Sequence, residues 1–500
     1  MPGPWLVIST QSGRVLIIGM MPRVFKTLVI ALAMGGGAAA FAALPPPVAQ
    51  ALKKAGIPPG NVAAVVQEVG AARPIVSHEA HDSVNPASVM KLVTTYAALE
   101  LLGPAYRWKT EAYLDGNDVV LKGYGDPKLN YESFWMLLRN LRGRGLRDIR
   151  GDLVLDRSYF GAVANGRIDD DAFRPYNVVP DALLVNFKSL RFTFIPGDGG
   201  VNVFAEPALP GLELINTLKL AEGTCPEGRP FRSLIQAEFQ GKPPRASFTG
   251  AYPAACGEKE LNVALFESQE YLAAMVKQLW AEMGGTWAGV VRQGSASPTA
   301  RLLYAHESEP LAEVVRDVNK FSNNVMARQL YLTLAAEMGG PPARPELALA
   351  SIRQFLISKN IRAPELVIEN GSGLSRIERA SAGTLAAVLD AAWRSAVMPE
   401  FMSSLPVAAA DGTMRKRLLG EAVAGRAHIK TGLLQDVRSI AGYVLDRQGR
   451  RHLVVMIINH PRASAEGQPA LDAMLAWIYE GPTSRAAARG RRPAVAPRRP

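Results

Sequence analysis

The chain has 500 residues, 48% of them hydrophobic, with two cysteines and a formal net charge of +11. That length exceeds what one hydrophobic core organises and implies two or more domains. Three of the surplus positive charges fall before residue 43 and six, all arginine, after residue 483, which leaves +2 for the body; a charge so placed is no footprint of a nucleic-acid-binding body, and no nucleic-acid partner is expected.

In chain order, the first signal is for export. Arg23 and Lys26 precede an apolar run at 27–34 and a small-residue stretch ending Ala40-Phe41-Ala42. This pattern predicts a signal peptide over 1–42, with translation starting at Met20 or Met21, and places the protein in the periplasm or cell envelope. The run is short for a membrane span, so an uncleaved anchor is the lesser alternative. Residues 62–69 and 75–76 read as two strands of a hairpin. Asn85-Pro86 can then cap a helix over 87–102, which Gly103 and Pro104 stop. Val89, Leu92, Val93, Tyr96 and Ala97 give that helix an apolar stripe.

From Tyr106 the texture changes to short strands and Gly/Pro-rich turns. We expect an inserted region over 106–295 between two halves, 43–105 and 296–483, of one catalytic domain, with a nested subdomain at about 190–260. Cys225 and Cys256 lie in that insertion. In an oxidising compartment they are expected to form a disulfide, with two free buried thiols as the alternative. Residues 268–283 read as a helix, 288–292 as a strand, and 310–338 as helical. Strands follow at 427–434, 439–445 and 452–459, then a closing helix at 469–480. The fold class is α+β, an antiparallel sheet flanked by helices with a large β-rich insertion. The tail, 484–500, is rich in Arg, Ala and Pro and is expected to be disordered. Its arginines offer weak contact with anionic membrane or wall polymer, a purely solvated tail being the alternative.

Three short motifs fall on this frame in order: Ser88-Val89-Met90-Lys91, Ser322-Asn323-Asn324 and Lys430-Thr431-Gly432. Each is weak alone, but a capped helix under the first and a strand under the third make a serine/lysine acyl-transfer set. A serine hydroxyl needs an adjacent base, and positions i and i+3 of a helix are neighbours. A lysine serves as that base only when its pKa is depressed, through burial and a second cation such as Lys430. Ser88 in the first turn also faces free backbone N–H groups.

Other polar features read as structure. His78-Glu79-Ala80-His81 lacks the spacing of a zinc protease, and no metal or other cofactor is expected. His428 reads as a strand residue, and Asp126, Asp152 and Asp411 sit in turn-type sequences.

With these residues in place, the chain resembles the three-domain low-molecular-mass penicillin-binding proteins, the D-alanyl-D-alanine carboxypeptidase/endopeptidase family, over 44–479. Further shared stretches are Gly125-Asp126-Pro127-Lys128-Leu129, the run from Gly151 to Asp156, Pro175-Tyr176-Asn177 through Asn186, the run from Asn370 to Arg376, Ser404-Leu405-Pro406 and Asp411-Gly412-Thr413. The resemblance implies a penicillin-binding, serine β-lactamase-like domain and assigns roles position by position. Ser88 would be the acylated nucleophile and Lys91 its base. Ser322 and Lys430 would relay a proton to the departing D-alanine. Asn324 would hold the acyl-side amide, and Thr431 with Lys430 the terminal carboxylate. The N–H groups of Ser88 and Leu433 would form the oxyanion hole, with Gly432 permitting close approach. Asp171 would line the pocket from the insertion, with Asp169 and Asp170 as rivals. Asn323 stands where many relatives have Asp.

The expected activity is therefore D-Ala-D-Ala carboxypeptidase, with D,D-endopeptidase activity by the same chemistry, acting on peptidoglycan stem peptides and acylated by β-lactam antibiotics. The alternatives are a serine β-lactamase and a non-enzymatic cell-wall-binding protein.

Overall fold

A computed structural model describes residues 44–163, 168–169, 171–226 and 233–481; the expected signal peptide and the arginine-rich tail lie outside them. The organising element is a five-stranded antiparallel sheet. Its strands run in the order Ala427–Leu434, Val437–Leu445, Arg451–Asn459, Val62–Glu68 and Val76–His78. Strand side chains alternate between faces, and here both faces are covered. Val62, Ala64 and Val66 pack with Val454, Met456 and Ile458 against the helices Pro46–Ala55 and Gln468–Tyr479. Ala63 and Val65, with Val455 and Ile457, face a helical layer that includes Lys91–Leu102 and Ala382–Trp393. Two buried faces explain why these strands read as nearly continuous apolar runs.

The helix Lys91–Leu102 lies inside this layer. Its residues from Lys91 to Leu99 are all buried, so the apolar stripe of the sequence is one side of an element enclosed all round. A 3-10 turn, Ala87–Met90, precedes it, and Ala87 has φ of 48°. The helical stretch expected at 310–338 is two helices, Leu311–Lys320 and Asn324–Gly339. Between them Ser322 takes φ of 56°, and the Asn323 side chain caps the second helix by accepting from Met326 N at 3.1 Å.

The inserted region is built on a second five-stranded sheet, ordered Val291–Gln293, Leu153–Asp156, Asp118–Gly123, Lys109–Asp115 and Arg301–Glu307. The last pairing carries this sheet to Glu307. Helices Tyr131–Gly143 and Ser268–Glu282 cover this sheet through Leu137, Leu141, Met275 and Leu279. The stretch at 190–260 forms small sheets of its own, yet Phe192, Phe194, Phe248 and Tyr252 belong to the same core as Leu153 and Trp280. It shares that core rather than enclosing another. Cys225 and Cys256 are joined by a disulfide with Cα atoms 4.7 Å apart.

Candidate active site

The site forms where the edge strand Ala427–Leu434 meets the turn Ala87–Met90. Ser439 Oγ on the neighbouring strand donates to Pro86 O at 2.7 Å, anchoring the turn to the sheet. A Cβ on Gly432 would lie 2.2 Å from that Ser439 oxygen and 2.9 Å from Pro86 O. Only glycine lets the strand and the turn approach so closely. From the other side, a Cβ on Gly373 would stand 1.9 Å from Ala87 O, so the loop at 370–373 also presses onto the turn. Asn85 secures the entry: its Oδ1 accepts from Ala87 N at 2.9 Å and its Nδ2 donates to Ser375 O at 2.8 Å. Asn459 brackets Asn85 through both its backbone N and O.

Ser88 and Lys91 meet as their spacing predicts, with Nζ 3.0 Å from Ser88 Oγ. Lys91 is fully buried. Its amine also donates to Asn324 Oδ1 at 2.6 Å and to Ser372 O. These two partners can only accept, whereas a serine hydroxyl can also donate. A neutral amine, with two N–H groups and one lone pair, satisfies all three. Burial, and next the charge of Lys430, push Lys91 well below the ordinary lysine range, while Glu378 pulls it back up and Arg328 adds to the lowering.

Lys430 extends across the site from the strand. Its Nζ lies 2.8 Å from Ser322 Oγ and donates to Thr431 O at 2.8 Å, and burial brings its pKa down to about 7. Thr431 Oγ1 donates to Thr413 Oγ1 at 2.8 Å. Leu433, next along the outward face, is 56% exposed. Ser88, Lys91 and Asn324 thus form one hydrogen-bonded group and Ser322 with Lys430 a second, the two coupled through the charge of Lys430 on Lys91, with Thr431, Gly432 and Leu433 beside them.

Asp171 is placed differently. It forms an ion pair with Arg174 at 2.5 Å, and Arg174 rather than Asp171 lines the cavity of about 1300 Å³ that adjoins Ser322, Asn323 and Asn324. Tyr131, Tyr176 and Glu206 also face this cavity from the insertion. Asp169 accepts from Tyr176 OH and Asn177 Nδ2, and Asp170 lies outside the described residues. His428 is half-buried, and burial lowers its pKa, with the Arg451 and Lys320 charges adding to the effect. His78 Nε2 contacts Pro59 O at 3.0 Å. Asp126 and Asp411 do turn work, accepting from Lys128 N and Val407 N, whereas Asp152 ties two distant segments, accepting from Val290 N and pairing with Arg292 at 3.2 Å.

Sequence reasoning gave no role to Ser372 or Glu378. Ser372 contributes only a backbone carbonyl, which no side-chain pattern announces; the flanking Gly371 and Gly373 were the available signal. Glu378 is fully buried, and its Oε1 accepts from the N–H groups of Glu369, Asn370 and Gly371 at 2.9–3.1 Å. It fixes the loop that presents Ser372 O to Lys91.

Comparison with known proteins identifies the family and the fold. A model of the D-Ala-D-Ala carboxypeptidase 3 (S13) family matches residues 45–479. The chain is 28% identical over 450 residues to the D-alanyl-D-alanine carboxypeptidase of Actinomadura sp. (strain R39), covering 83% of this chain and 80% of that protein. It is 25% identical over 417 residues to D-alanyl-D-alanine carboxypeptidase DacB of Haemophilus influenzae, covering 80% and 85%. In fold it matches the crystal structure of penicillin binding protein 4 (dacB) from Haemophilus influenzae with a TM-score of 0.72 at 22% identity, covering 86% of this chain and 99% of that one.

Proposed function

Because the chain belongs to the D-Ala-D-Ala carboxypeptidase 3 (S13) family, a family of penicillin-binding serine peptidases, we propose that its Ser88 is acylated by the penultimate D-alanine of a peptidoglycan stem peptide. The observation that carries this reading is the set of partners around Lys91. Nζ makes three contacts, to Asn324 Oδ1, Ser372 O and Ser88 Oγ; once the amine is neutral, its two N–H groups serve the two acceptors and its lone pair is left for the Ser88 hydroxyl. Lys91 accepts that proton as Oγ attacks the carbonyl carbon. The N–H groups of Ser88 and Leu433 receive the developing oxyanion. Asn324, its oxygen engaged by Lys91, keeps its amide N–H groups for the substrate's acyl-side carbonyl.

Ser322 passes a proton to the departing D-alanine nitrogen, and Lys430, 2.8 Å away, supplies or replaces that proton. Lys430 and Thr431 hold the leaving residue's carboxylate. Lys91 gives up the proton it took from Ser88 to restore the Ser322–Lys430 pair; neutral again, it takes a proton from the water that attacks the acyl-Ser88 ester and returns it to Ser88 Oγ as the acid is released. Penicillin enters the same sequence because its strained amide presents an equivalent carbonyl. The cavity beside Ser322 leaves room for a leaving amine carried by a longer chain, which supports endopeptidase action with the same groups. Arg174, paired with Asp171, stands on its wall in place of a free acid. Export to the cell envelope fits this substrate; no helix among the described residues is long and apolar enough to cross a membrane.

Mass spectrometry of the protein incubated with benzylpenicillin tests the assignment. The adduct is expected on Ser88 and absent in Ser88→Ala; an adduct on any other residue, or on the Ala variant, refutes it.

A further inference from the structure

We propose that Thr413 is a substrate-binding residue, its hydroxyl completing with that of Thr431 a two-donor clamp for the terminal carboxylate. The inference rests on the reading that Lys430 and Thr431 receive this carboxylate. Along the edge strand, Thr431 and Leu433 share one face because they are two residues apart. Leu433 has no side-chain donor, so the strand alone offers the anion one hydroxyl. The second comes from another segment.

Thr413 Oγ1 lies 2.8 Å from Thr431 Oγ1, and Thr431 is the donor in that contact. Each hydroxyl carries one proton. Thr413 therefore keeps its own, and no acceptor for it appears among the side-chain hydrogen bonds of the described residues. Two hydroxyl oxygens at this separation suit the two oxygens of one carboxylate, and hydrogen bonds to an ionised acceptor are the strong class. On binding, Thr431 turns its proton from Thr413 to the ligand, and Thr413 supplies the other.

The segment carrying Thr413 is firmly held. It pairs with the edge strand just before Lys430: Ile429 N donates to Pro406 O at 2.7 Å and Ala408 N to Ala427 O at 2.9 Å. Asp411 then fixes the turn, accepting from Val407 N at 2.7 Å and pairing with Lys320 Nζ at 2.6 Å. Lys320 is itself buried and donates to Leu405 O at 2.7 Å. Lys320 ends the helix that leads directly to Ser322. One ion pair, buried on its lysine side, thus holds the proposed carboxylate hydroxyl in register with the proposed proton relay. Thr413 itself is exposed and open to a ligand.

The test compares kcat/KM for an N-acylated D-Ala-D-Ala peptide with a free C-terminus against the same peptide ending in a carboxamide. Thr413→Val should lose roughly 10- to 100-fold on the acid and nothing on the amide, and Thr413→Ser should restore the acid rate. An unchanged acid-to-amide ratio in Thr413→Val overturns the proposal, as does an equal loss on both peptides. Thr431→Val separates the two levels. If it abolishes the preference for the acid while Thr413→Val does not, only the role of Thr413 falls. If neither variant alters the preference, the carboxylate site at Lys430 and Thr431 falls with it.

Discussion

Lys430 should impose a falling limb on the rate at which penicillin acylates the free enzyme. Its amine is enclosed, and burial lowers its pKa from 10.5 to about 7. As a cation it holds Ser322 and attracts the ligand carboxylate; as a neutral amine it does neither well. Above pH 7 the cationic fraction drops about tenfold for each further pH unit, so the second-order acylation rate should drop with it. Second-order rates report the free enzyme, which makes stopped-flow acylation with benzylpenicillin, from about pH 5 to about pH 10, the suitable assay. Lys430→Arg keeps its charge throughout this range. It should be slower at every pH, since a guanidinium does not reproduce a point charge 2.8 Å from Ser322, but its rate should not fall above neutrality. A falling limb of the same midpoint in Lys430→Arg would show that some other group titrates and would refute the reasoning.

Two further perturbations address the scaffold. Asp126 is 4% exposed, and burial raises its pKa from 3.8 to about 7. The folded protein therefore holds this proton more tightly than the unfolded chain, and the associated stability is whole below pH 4 and lost as pH climbs through about 7. That difference between folded and unfolded chain corresponds to roughly 4 kcal/mol. Asp126→Asn should be the more stable protein at pH 8 in denaturant titrations, with the advantage vanishing in acid; a constant difference at all pH values contradicts this. Glu378 offers a paired test. Glu378→Gln removes a charge that favours protonated Lys91, so the rising limb of acylation should move to lower pH with the plateau nearly unchanged. Glu378→Ala would strand three backbone N–H groups and should cost about 3–6 kcal/mol in unfolding free energy.

What could be read from sequence was what depends on neighbours along the chain. The Ser88–Lys91 contact follows from helical spacing, and the strand under Lys430 from its apolar alternation and flanking turns. The closing meander and its helix were legible for the same reason. The break at Ser322 was not: apolar periodicity runs through 310–338, and the left-handed backbone there is held by contacts from elsewhere, including the burial of Lys320 against Leu405 and Asp411. The pairing of Arg301–Glu307 with Lys109–Asp115 was hidden because the former resembles any short strand until its partner is known. Lys91's third partner was out of reach for a plainer reason. A backbone carbonyl leaves no mark on composition, and the acid that steadies it, Glu378, stands two residues past the shared stretch that ends at Arg376.

The hydrogen bonds of Lys91 gather distant parts of the polypeptide, for Ser372 and Asn324 lie far downstream of Ser88. A chain threading outward from its N-terminus presents the serine and its lysine long before those partners emerge. Until then the lysine remains hydrated and cationic, and the serine is inert. Chemical reactivity is thereby delayed until the late segments dock, so covalent labelling by an antibiotic doubles as a count of molecules that have finished maturing.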